Sequence, residues 1–169
     1  MLSWLANLEQ TDASLWVRES PSLWAFPFIL YLHTLGLALL AGLSVGVDLW
    51  ILASRTRPAA IAAANLYRAM WIGFGINALS GLALLLAYPA KALTNWVFYA
   101  KLSLIVLAVW TLDLIRKEVF PPSPGRPADI TPRARRLAVV SLLLWAGAIL
   151  AGRLLAYTHT ILLASDPPF

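Results

Sequence analysis

The chain has 169 residues, of which 60% are hydrophobic and only 12% charged, with a formal net charge of +5, and its mean hydropathy is +0.75. These values exclude a soluble globular domain and indicate an integral membrane protein with room for about four spanning helices. The basic excess calls for no nucleic-acid partner, because it falls mainly between the apolar stretches, and the absence of cysteine excludes disulfides, thiolate metal sites and redox thiols.

Residues 1–20 open with a short apolar face, Leu2, Trp4, Leu5 and Leu8, but Glu9 and Asp12 stand where a signal peptide needs a longer apolar core. A basic start is missing too. The segment is expected to form an interfacial amphipathic helix over the outer face of the bundle, with Trp4 and Trp16 at headgroup level and a second turn starting at Thr11 or Asp12. Four apolar stretches follow, at approximately 24–53, 70–88, 94–115 and 137–164. Each is long enough to span a bilayer, and the first and last exceed the minimum, so they are expected to tilt or protrude. No alternating apolar and polar runs are present, which excludes a β-barrel. Residues 119–132, containing the run from Pro121 to Pro127, read as a non-helical cytoplasmic linker. The expected fold is an all-α, single-domain, four-helix transmembrane bundle with a short N-terminal interfacial helix.

The connecting segments are electrically unequal. Arg55, Arg57 and Arg68 lie in the first, and Arg116, Lys117, Arg126, Arg133, Arg135 and Arg136 in the third, against Arg18 and Lys91 on the opposite side. Short basic loops stay in the cytoplasm, so both termini are expected outside it. Trp24 and Trp96 then mark the outer interface, and Trp50 and Trp71 the inner one.

Chemistry must come from the few polar residues inside the spans. In the first, His33, Ser44 and Asp48 fall within about 60° of one another on a helix turning about 100° per residue, and their shared face is expected to point into the bundle. Asp48, near the inner end, is expected to meet an arginine of the first or third connection. In the second span Gly73, Asn77, Ser80 and Gly81 form a stripe suited to helix packing, with Asn77 also a candidate contact for a quinone or haem. In the fourth, Ala148, Gly152, Ala156 and His159 make a stripe of small residues that ends in an imidazole. Gly36 offers clearance beside His33, and Gly42 with Gly46 forms a further small-residue step.

His33 and His159 are the chain's two histidines. The expected topology places both in the outer half, at depths matching to within about one helical turn. Two neutral imidazoles from different helices suit a six-coordinate haem b, whose porphyrin supplies the other four nitrogens. Copper or zinc fits less well, since two histidines leave the first shell incomplete. The competing reading is that each histidine hydrogen-bonds across helices, with His159 reaching interfacial water. Lys101 and Arg153 also lie toward the outer half, where a cation needs a partner: a haem propionate, a carboxylate or a lipid phosphate. Tyr157 shares a face with Arg153.

The stretch from His33 through Gly42, followed by Asp48-Leu49, the Lys101-Leu102 step and the run from Ser141 to Tyr157 resemble the DUF6644 family of four-helix bacterial membrane proteins. The likeness covers all four spans and is most specific from Gly152-Arg153 to Tyr157; His159 lies beyond the matched part. The resemblance implies that His33, Asp48, Lys101 and Arg153 belong to the family pattern. A looser similarity to CopD-like and cytochrome b561-like four-helix proteins, which also carry histidines early in their spans, favours haem by analogy.

Three functions are compatible with these residues. The first is a haem b electron-transfer subunit, with His33 and His159 as ligands, Lys101, Arg153, Gly36 and Tyr157 around the cofactor, and a periplasmic redox partner. The second is a non-catalytic accessory subunit of a larger respiratory or photosynthetic membrane complex, packing against partner helices, lipid or pigment. The third is a proton or small-ion path lined by His33, Asp48, Lys101 and Arg153. No hydrolytic, phosphate-binding or nucleotide motif is present, so enzymatic activity in isolation is not expected.

Overall fold

The structure, a computed structural model, describes residues 10–55, 60–119 and 129–164, and the side chains of these except residues 13, 60–63 and 159–164. Helices α1 (Asp12–Glu19), α2 (Phe26–Leu37), α3 (Leu43–Ala53), α4 (Ala60–Ala87), α5 (Pro89–Leu93), α6 (Trp96–Val119) and α7 (Pro132–Ala164) follow in chain order, and a π-helical turn, Ala38–Gly42, joins α2 to α3. No strand occurs among the described residues. Four segments are long and apolar enough to cross a membrane: Phe26–Ala53, Ala64–Ala87, Trp96–Val119 and Pro132–Thr158. The chain is an all-α, multi-pass, four-helix membrane bundle.

The helices outrun the apolar stretches that announce them. The second begins at Ala60 rather than 70, the third continues to Val119 rather than 115, and the fourth begins at Pro132 rather than 137. Hydropathy marks only the part that lipid must cover, whereas the backbone hydrogen bonds of a helix continue through Asn65, Arg68, Arg116 and Arg135, whose polar ends leave the hydrocarbon. The linker expected over 119–132 falls between the end of α6 at Val119 and the start of α7 at Pro132, and its run from Pro121 to Pro127 lies outside the described residues. Thr131 caps α7 by accepting from the Ala134 amide at 3.1 Å, and its own hydroxyl donates to Glu118 at 2.9 Å.

At the N-terminus, Thr11 accepts a hydrogen bond from the Ser14 amide at 3.4 Å and caps α1. The buried Ser14 hydroxyl donates to the Ala87 carbonyl at 3.3 Å, one of the carbonyls that the end of α4 leaves without a helical partner. Helix α1 is thereby fastened across the end of the second span, with Trp16 exposed. Leu2, Trp4, Leu5 and Leu8 lie outside the described residues. Trp24 and Trp96, at the same end, are both largely exposed.

Helix α2 packs on α4, α3 on α7, and α6 on α7. The central cluster includes Leu40, Ile51, Met70, Leu112, Ile115 and Trp145. Burial of such side chains drives little association in a membrane, because lipid tails are as apolar as leucine; close backbone approach and interhelical hydrogen bonds do more. The closest approach joins the first two spans. A methyl group on Gly36 would stand 2.5 Å from the Asn77 amide nitrogen and 2.8 Å from the Gly73 carbonyl oxygen, and one on Gly73 would stand 2.9 Å from the Leu40 nitrogen. Gly42 and Gly46, by contrast, have nothing within 4 Å of such a methyl. Gly36→Ala is therefore expected to lower bundle stability by about 1–3 kcal/mol through overpacking, and Gly42→Ala to leave it unchanged, as read by thermal unfolding in detergent.

Candidate functional site

His33 is held by the second span. Its Nδ1 lies 3.0 Å from the Asn77 carbonyl oxygen and 3.2 Å from the Ser80 hydroxyl. The Ser80 proton is committed to the Ile76 carbonyl at 2.6 Å, so Ser80 has none to give the ring. The network therefore assigns the imidazole hydrogen to Nδ1, which donates to Asn77, and leaves Nε2 with a free lone pair. The Asn77 side-chain amide reciprocates, donating to the His33 carbonyl at 2.7 Å. Gly81 makes room for the ring, since a methyl there would come within 3.1 Å of Cε1. The stripe of Gly73, Asn77, Ser80 and Gly81 thus packs two helices and also orients one histidine.

The clearance at Gly36 is taken by the backbone of Gly73 and Asn77. It serves the crossing of the first two spans.

Lys101, on α6, lies within electrostatic reach of His33. Its aliphatic stem runs past Gly152, with Cε 3.7 Å from where a methyl would be. Among the described residues no carboxylate pairs with its ammonium. Arg153 and Tyr157, one turn apart on α7, are exposed, so the structure sets Lys101 within electrostatic reach of His33 and leaves Arg153 and Tyr157 on the bundle's surface. His159 continues α7, and its side chain lies outside the described residues. The preceding residue is anchored: the Asn95 amide donates to the Thr158 hydroxyl at 2.8 Å, while its oxygen accepts from the Val97 amide at 3.0 Å and caps α6. Asn95 was not singled out in the sequence; a polar residue just ahead of an apolar run is the capping signal that marks it.

Ser44 and Asp48 do not share the surroundings of His33. A π turn holds one more residue than an α turn, so Ala38–Gly42 rotates all that follows by roughly one residue's step, ~100°. His33 consequently meets the second span, whereas Ser44 meets the fourth, where its hydroxyl accepts from Trp145 Nε1 at 2.9 Å. Both partners are fully buried. One turn on, Asp48 is 0% exposed, with Ser141 beside its carboxylate and the Tyr67 ring within electrostatic range. The buried Leu40 and Ala41 lie between the two polar groups along the span.

The arginine expected for Asp48 is absent among the described residues. The Arg116 guanidinium lies over the Tyr67 ring, 5.6 Å from its centre. Arg135 donates to the carbonyls of Leu52 and Ser54 at 3.0 and 2.9 Å, closing the exposed end of α3. Both arginines find these partners at the helix ends, where their charge stays close to water.

No protein-family model, curated protein or solved structure matches this chain.

The Ser44 and Trp145 contact is expected to couple the first and fourth spans. In a double-mutant cycle of Ser44→Ala and Trp145→Phe, thermal unfolding should yield a coupling energy of about 0.5–1.5 kcal/mol.

Proposed function

We propose that this chain is a membrane electron-transfer subunit that binds one haem b near the end of the bundle carrying both termini, with His33 as an axial ligand. The observation that supports this reading is the bonding of the ring. A metal-ligating histidine characteristically donates its other ring hydrogen to a carboxylate or backbone carbonyl, which fixes the tautomer and raises the basicity of the ligating nitrogen. His33 does this through Nδ1 and Asn77, with Nε2 left as the donor.

His159 is the proposed second ligand, one residue after the Thr158 that Asn95 anchors. Lys101, within electrostatic reach of His33 and without an ion pair among the described residues, suits a propionate, and Arg153 suits a propionate edge or a lipid phosphate. Bound haem supplies one-electron carrier chemistry. The protein's part is to hold the imidazole, neutralise the propionates and exclude water, tasks that require no catalytic acid, base or nucleophile. With the basic end in the cytoplasm, the site lies toward the periplasm of a bacterial inner membrane, where a redox partner or quinone exchanges electrons. The resemblance to DUF6644 proteins is part of the same proposal.

The open step at Gly42 and Gly46 supports a second reading, that of an accessory subunit whose small-residue face receives a helix of a larger complex. Co-purification of a stoichiometric membrane partner in mild detergent is its signature.

The deciding measurement is a dithionite-reduced minus oxidised absorbance spectrum of the purified protein. Wild type is expected to show a b-type α-band, lost in His33→Ala and in His159→Ala. An α-band that persists in folded His33→Ala rejects the proposed ligation.

A further inference from the structure

Hydroxyl groups inside these spans commonly turn back on their own helix: Thr34, Ser80 and Thr111 each donate to the carbonyl one turn earlier, as expected in an apolar surrounding. Ser141 does not. It is 0% exposed and stands within hydrogen-bonding reach of Asp48, yet among the described residues neither its hydroxyl nor either Asp48 carboxylate oxygen closes a bond of full geometry. Three buried oxygens thus meet at one place between α3 and α7, with no partner for them from any other described residue.

A lone carboxylate in a lipid-embedded core is costly unless its charge is compensated. The neighbouring cations are engaged elsewhere: Arg116 with the Tyr67 ring, Arg135 with the end of α3 and Lys117 with Asp113. A water molecule would satisfy hydrogen bonds but not the charge. Ser44 and Asp48 are one turn apart on α3, Ser141 and Trp145 one turn apart on α7, and Trp145 holds the Ser44 hydroxyl in place with a lone pair to spare. The donors are all hard oxygens, with no nitrogen or sulfur ligand, which selects against transition metals. A single carboxylate balances a single positive charge.

We propose that Asp48, Ser141 and Ser44 bind one small monovalent cation, with Na+ as the probe, and that this ion ties the first span to the fourth. The site is separate from His33 and independent of haem binding. The test is thermal unfolding of the purified full-length protein in rising NaCl against choline chloride of equal ionic strength. A saturable rise in Tm in NaCl alone, lost in Asp48→Asn and reduced in Ser141→Ala, is the expected result. Ser141→Ala removes a ligand without touching the charge, so it carries the test if Asp48→Asn fails to fold. A Tm that follows ionic strength regardless of the cation overturns the proposal, as does a Na+ response surviving in Asp48→Asn. A Tm that rises with acidification and ignores Na+ assigns the compensating charge to a proton and overturns it equally.

Discussion

The backbones of the first and second spans touch where Gly36 faces Gly73, and the organisation of the terminus-bearing half depends on that contact. Only with both side chains reduced to hydrogen do the helices come near enough for Asn77 to reach the His33 carbonyl and for His33 to reach the Asn77 carbonyl. Two helices that met through leucines would stand further apart, and the imidazole would need a water or a longer side chain to find a partner. In a membrane, where apolar burial contributes little to helix association, this approach supplies both the packing contact and the polar bonds. The tautomer of His33, and with it the free Nε2 on which the haem proposal rests, follows from how closely the two backbones lie.

The π turn at Ala38–Gly42 divides the first span into two parts with different partners. Before it the helix is bound to the second span, and after it to the fourth through Ser44 and Trp145. One inserted residue allows a single helix to serve two neighbours, each by a polar contact that a continuous α-helix would have aimed elsewhere. The same rotation carries Asp48 away from the connecting arginines and into the contact between α3 and α7, where its buried carboxylate has only Ser141 within hydrogen-bonding reach among the described residues. The first span therefore carries an oriented nitrogen donor toward one end and a buried oxygen cluster toward the other, with apolar core between.

Several of these features are legible in the sequence. The polar stripe on the second span reads as a packing face, and His33, Lys101 and Asp48 stand out as unusual in apolar stretches. The pairing of Ser44 with Trp145 does not, because the two are 101 residues apart and nothing local to either announces the other. The nearest signal is that Ser44 with Asp48 and Ser141 with Trp145 are both one-turn pairs, which two antiparallel helices can align. The π turn has no signature in Ala38-Leu39-Leu40-Ala41-Gly42, since five small and apolar residues suit an α-helix equally well.

Composition alone determined that the chain crosses a membrane four times as helices, because a backbone in hydrocarbon must satisfy its own hydrogen bonds and apolar length sets the number of spans. Loop charge likewise defined which end is basic. Tertiary structure decided which faces meet. Helix rotation depends on the sum of small steps along each span, so one π turn changes the partner of every later residue. Whether a glycine gives room to a cofactor or to another backbone depends on the crossing point, which no single helix contains. Thus Gly36, equally suited by sequence to either, packs against the second span, and Asp48 lies against the fourth.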